Sequence, residues 1–152
     1  MNLLEIKNLT VEFKTEDETV KAVKSLNLTI PKGKTVGLVG ESGSGKSVTS
    51  LALMGLIPNP PGRITEGEIL FNGEDLTKAS PARMRQLRGN KIAMIFQEPM
   101  TSLNPVFTTG NQVDEVLMLH QGMNAKEARK RTIELYNEVG IPDPESSVDK
   151  YP

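Results

Sequence analysis

The chain has 152 residues, the length of one ordinary domain and enough to bury a core. Its 18 basic and 19 acidic residues nearly cancel, so charge gives no reason to expect a nucleic-acid partner and does not oppose a locally held anion. The lack of cysteine excludes disulfides and thiolate metal sites and fits a reducing compartment. Glu5 and Lys7 break the apolar run a secretory leader needs, and no window reaches the roughly 18 uncharged apolar residues of a membrane-spanning helix.

LLEIKNLTVEF, TVKAV and SLNLTI alternate apolar with polar residues around the charged turn at 15–18, which predicts antiparallel strands. After the turn PKGK, the run TVGLV at 35–39 is β-branched and continuously apolar, as a strand covered on both faces would be. KSVTSLALMGLI predicts a helix buried on most sides, and PNPPGRITEG a loop. GEILFNGEDL predicts a short strand turning at Asn72 and Gly73, and SPARMRQLRG a helix with Ser80 as N-cap and Pro81 first. KIAMIFQ at 91–97 predicts another strand. Beyond it Val113, Val116, Leu117 and His120 share one helical face and Ala128, Thr132, Leu135 and Val139 another, suggesting a helical subdomain from about residue 98; IPDPESSVDKYP reads as a linker.

GESGSGKS, Gly40 to Ser47, satisfies the phosphate-loop pattern GxxxxGK[ST] in its required setting, an apolar run before it and a helix after it. Glycines at 40, 43 and 45 allow backbone angles closed to other residues, so successive N–H groups can turn toward phosphate oxygens. The following helix adds unpaired N–H groups and its positive dipole end. Lys46 is expected to reach the β and γ phosphates and Ser47 to ligate Mg2+.

A phosphate loop alone does not name a reaction. With the strands before it and the glutamine after it, the chain resembles an ATP-binding cassette (ABC) protein. GESGSGKS followed by IFQEPMTSLNP is similar, within that family, to the ATPase subunits of peptide and nickel importers. The resemblance implies an α/β P-loop NTPase fold of ABC type, with an N-terminal antiparallel β subdomain, a partial parallel core sheet and part of a helical subdomain. It implies ATP and Mg2+ as ligands. The ATP contacts would be Phe13, stacking on adenine, and Gly40, Glu41, Ser42, Gly43, Ser44, Gly45, Lys46, Ser47 and Val48. Ser47 and Gln97 would serve the metal, and Lys46 would supply transition-state charge. A core aromatic at a strand end is the plain alternative for Phe13. The implied partners are transmembrane permease subunits, met through the Gln97 loop and the helices after it, and a second ATPase subunit; the implied place is the cytoplasmic face of the cell membrane.

Three family elements, the LSGGQ-like signature, the Walker B strand and the switch histidine, have no counterpart in these residues, which suggests an N-terminal fragment ending just before the signature. Asp114 and Glu115 follow too little apolar sequence for a Walker B strand and read as solvated helix charges. IAMIFQE places Gln97 and Glu98 where Asp and Glu would stand, but its spacing fits the glutamine loop better. His120, mid-helix, reads as a helix surface or edge residue. The basic group Arg83, Arg85, Arg88 and Lys91 reads as a solvated face. Nucleotide binding without turnover is the resulting expectation. A partner-docking fragment without catalysis and another P-loop NTPase are the alternatives.

Overall fold

The computed structural model describes residues 1–97 and 102–152. They form two compact units, Met1–Met94 and Ile95–Pro152.

In the first unit, β1 (Asn2–Lys14) and β2 (Thr19–Pro31) pair antiparallel across the predicted turn, where Thr15 and Glu18 exchange hydrogen bonds. β3 (Gly62–Phe71) pairs with the other edge of β1, and β4 (Glu74–Asp75) with β3, so the antiparallel order is β2-β1-β3-β4. Asn72 and Gly73 form the predicted turn with positive φ of 49° and 85°, the geometry whose twist matches the flanking strands. The strand begins at Gly62 rather than after the whole PNPPGRITEG stretch, because Gly62 to Glu66 pair along β1.

Leu4 and Ile6 face the core, and so do Leu9 and Val11, although the step from Ile6 to Leu9 breaks strict alternation. Asn8, at φ 50°, lies where β1 shifts register against both neighbours. The extra residue of this bulge returns the apolar side chains to the same face. Gly67 lies against it at φ 89°, where an added Cβ would be 2.5 Å from the carbonyls of Lys7 and Asn8. α1 (Lys46–Leu53) adds Ala52 to the core, and α2 (Pro81–Leu87) adds Met84 and Leu87. Ser80 caps α2 by accepting from the Arg83 amide at 3.2 Å, as predicted.

The basic group is not simply solvated. Arg83 forms a two-pronged pair with Glu74, which holds that carboxyl below its usual range. Arg88 donates to the Met54 and Gly55 carbonyls at 2.7 Å each and closes the end of α1. Burial pushes the Asp75 carboxyl up, but hydrogen bonds from Lys78, Thr77 and Ile69 outweigh it and hold the group below the usual carboxylate range.

Two predicted strands do not form. Residues 34–40 form no regular element and no ladder, and residues 93–96 likewise, with only an isolated parallel bridge between Arg88 and Ile92 nearby. A strand requires a neighbour to receive its backbone bonds, and among the described residues none runs beside either segment.

The second unit pairs α3 (Thr109–Gln121) with α4 (Ala125–Glu138). Asn124 and Glu127 form a capping box at the start of α4. Leu117 of the predicted face is buried on α3, together with Gly110 and Asp114, but Val116 of that face is exposed. Apolar spacing found Leu117 and missed Gly110 and Asp114, which bring no apolar side chain to the stripe. On α4, Ala128 and Thr132 are buried as expected and Tyr136 joins them, but Val139 lies exposed beyond the last turn.

The 141–152 stretch is not a linker. Pro144–Ser147 forms a short helix, α5, Val148 is 2% exposed, and its carbonyl accepts from the Gly110 amide at 2.9 Å. Gly110 permits this approach, since a Cβ there would meet that carbonyl at 2.5 Å.

Candidate functional site

The glycine loop joins the irregular 34–40 segment to the start of α1. Ser44 donates its amide to the Glu41 carbonyl at 3.2 Å, making a turn, and Gly43 and Gly45 take φ of 79° and 91°. Gly45 is buried against β2: a Cβ would stand 2.5 Å from the Ala22 carbonyl. At Gly40 a Cβ would meet the Ser44 hydroxyl at 2.5 Å. Gly40 thus leaves room for a side chain of the loop and Gly45 for the backbone of β2, while Gly43, open on all sides, is required by its positive φ alone.

Gly45 is also the N-cap of α1, and it offers no side-chain acceptor to the first turn. The first bond of the helix is from Thr49 to the Gly45 carbonyl at 2.8 Å, so the amides of Lys46, Ser47 and Val48 have no partner within the helix. No acidic side chain stands in that turn. The Lys46 ammonium folds over the loop and donates to the Gly40 and Glu41 carbonyls at 2.7 Å each, with the Ser44 hydroxyl at 3.3 Å. A cation and three free donors in one turn suit a phosphate chain. The Ser47 hydroxyl is exposed beside them, where it could ligate a cation held by the same phosphates; Val48 packs toward the core.

A cleft of about 460 Å3 borders the loop. Gly43 to Lys46, Thr49, Leu38, Val39 and residues 21–24 and 26 line it, and none of these is acidic. Phe13 is not among the lining residues. Its partly buried ring packs on the core at Gly62, where a Cβ would stand 2.7 Å from the ring.

Gln97 lies at a bend in the second unit with an exposed side chain. Glu98 to Thr101, the first half of the EPMTSLNP motif, lie outside the described residues. After them Gln112 organises the turn into α3. It accepts from the Asn104 amide at 2.8 Å and donates to the Asn104 and Phe107 carbonyls at 3.0 and 3.1 Å.

Asp114 departs most from its expected role. It is 7% exposed, pairs with Arg129 Nε at 2.8 Å and accepts from the Thr132 hydroxyl. Arg129 extends the network to Asn111 at 2.7 Å and Asp149 at 2.8 Å, joining α3, α4 and the residues after α5. A lone apolar residue before Asp114 gave no sign of burial, which arises only when α4 supplies its partners. Glu115 is exposed as expected, and His120 is partly exposed in the last turn of α3.

The glycine loop, its lysine and the helix behind it, set on an antiparallel sheet, define a P-loop NTPase fold. A solved ATP-binding cassette, MJ0796, in a dimeric post-hydrolysis state bound to ADP and Pi, superposes with a TM-score of 0.83 at 28% identity, covering 98% of this chain and 61% of that one. Residues 23–152 match the family model described as ABC transporter, and the chain belongs to that family.

Its similarity to curated proteins runs through the whole chain. It is 51% identical over 150 residues to the oligopeptide transport ATP-binding protein OppD of Bacillus subtilis (strain 168), covering 99% of this chain and 42% of that protein. It is 50% identical over 152 residues to the dipeptide transport ATP-binding protein DppD of Escherichia coli (strain K12), covering all of this chain and 46% of that protein. The chain therefore spans less than half the length of these relatives. Among the described residues no helix is long and apolar enough to cross a membrane.

Proposed function

We propose that this chain is the nucleotide-binding part of an ATPase subunit that powers import of di- or oligopeptides, with nickel as the alternative cargo. The observation that carries the reading is the α1 entrance, where Lys46 and the unpaired amides of the first turn converge on one face of the glycine loop. The names of the OppD and DppD relatives favour a peptide cargo.

In this reading the loop from Gly40 to Val48 binds the phosphates of ATP. Lys46 leaves its carbonyl partners to neutralise the β and γ oxygens, and Ser47, with Gln97, serves the magnesium ion, which offsets phosphate charge when bound. Phe13 is the adenine-facing aromatic, with the exposed part of its ring available for stacking. Binding without turnover is proposed for the chain by itself. The proposed partners are permease subunits, docked through the Gln97 loop and the helices after it, and a second ATPase subunit, in keeping with the dimeric state of the solved cassette. Through the permease the protein would sit peripherally on the cytoplasmic face of the membrane.

Titration calorimetry with MgATP tests the reading. Lys46→Ala is expected to weaken binding roughly ten- to hundred-fold, as loss of charge-assisted bonds to phosphate would. Equal affinity in the two proteins would remove the basis for the proposal.

A further inference from the structure

α1 carries two side chains that bond back to its own beginning. Thr49, 5% exposed, donates its hydroxyl to the Gly45 carbonyl at 2.9 Å, and the Ser50 hydroxyl donates to the Lys46 carbonyl at 3.3 Å. Back-bonding of this kind is neutral or slightly unfavourable for a helix, so helix formation does not explain it. Thr49 also lines the cleft beside the glycine loop.

The Gly45 carbonyl and the Lys46 amide belong to one planar peptide and point in opposite directions. Whatever holds the carbonyl down the helix therefore aims the amide out of its entrance. Gly45, at φ 91°, has a wide choice of backbone angles, so its own sterics do not fix that plane. The segment before the loop has no ladder to hold it. Two things do act on Gly45: the Ala22 backbone behind it, and Thr49, whose amide and hydroxyl both donate to its carbonyl, at 2.8 and 2.9 Å. The hydroxyl is the side-chain hydrogen bond the described residues give to that carbonyl.

We propose that Thr49 is a positioning residue for nucleotide binding: its hydroxyl fixes the 45–46 peptide so that the Lys46 amide faces the phosphate chain. The proposal rests on the nucleotide-binding reading above. Thr49 does not itself touch the nucleotide. It acts through Gly45, so its removal loosens the cradle and leaves the fold in place.

The decisive variants are Thr49→Val, which keeps the branched shape and places a methyl in a buried position, and Thr49→Ser, which keeps the hydroxyl. Three readouts apply: MgATP affinity by calorimetry, amide exchange over residues 41–48, and thermal unfolding. Thr49→Val is expected to bind ATP roughly three- to ten-fold more weakly, the worth of about one hydrogen bond. It should exchange faster across the loop and melt no lower than the parent, while Thr49→Ser restores affinity. Unchanged affinity in Thr49→Val overturns the proposal. So does a loss that tracks a lowered melting temperature and is not rescued by serine, because that is the mark of a merely structural role. If the parent chain itself fails to bind MgATP, the nucleotide-binding reading falls. Loop exchange then decides the positioning role alone, with unchanged exchange in Thr49→Val overturning it.

Discussion

β1 carries charged residues at Glu5, Lys7 and Glu12, yet it lies at the centre of its sheet with Leu9 and Val11 fully buried. The 35–39 run carries no charge at all, yet it forms no ladder, and Val39 is 90% exposed. Apolar character alone does not make a strand; a partner does. β1 finds β2 through the turn at 15–18, as β3 finds β4 through the turn at 72–73, while β3 reaches the other edge of β1 from beyond α1; among the described residues no neighbour, near or distant, comes to the 35–39 run. The 91–97 run repeats the lesson, with Ile95 94% exposed.

The contrast is broken most directly at Ile69, on the core face of β3 and fully buried. Ile69→Ala removes buried aliphatic carbons from the core and leaves a cavity, and a loss of about 3 kcal/mol is expected in urea unfolding. A loss under about 1 kcal/mol would show that the antiparallel sheet is not the stable element. Next in size is Asp114, the buried group at the centre of the helical unit. Asp114→Ala leaves the Thr132 hydroxyl without its acceptor, and Arg129 keeps Asn111 and Asp149. Because Arg129 is about one-third exposed, the expected cost is about 2 kcal/mol rather than the larger value of a fully buried pair. Loss of α3–α4 order in amide exchange, with the first unit unchanged, is the accompanying signature.

Much of this architecture is legible in the sequence where the physics is local. The hairpin turns, the Ser80 cap and the glycine loop depend on residues a few positions apart, and each stands where its pattern places it. The features that escaped depend on remote partners. Asp114 reads as a surface charge until α4 brings Arg129 and Thr132 to it. The 141–152 stretch reads as a linker because one valine carries its burial, and the anchors at Val148 and Lys150 are the backbone amides of Gly110 and Thr109. Gln112 gave no signal at all, since its partners are backbone atoms of a loop. The site divides in the same way: GxxxxGK[ST] announces Lys46, but the grip of Thr49 on Gly45 is visible only once the helix is drawn.

The smallest expected effect is the most informative about the contrast itself. Val39 is as apolar as any core residue, but at 90% exposure it has little surface to return to water on unfolding. Val39→Ser should therefore change stability by less than about 0.5 kcal/mol, as an ordinary surface substitution does. The same change at Val11, fully buried on β1, would remove transfer energy, leave a cavity and bury a hydroxyl. If Val39→Ser instead costs as much as a core substitution in dilute solution, the 35–39 run is covered by something there. Concentration dependence of the loss would then identify the cover, because pairing between copies weakens on dilution and a contact within one chain does not.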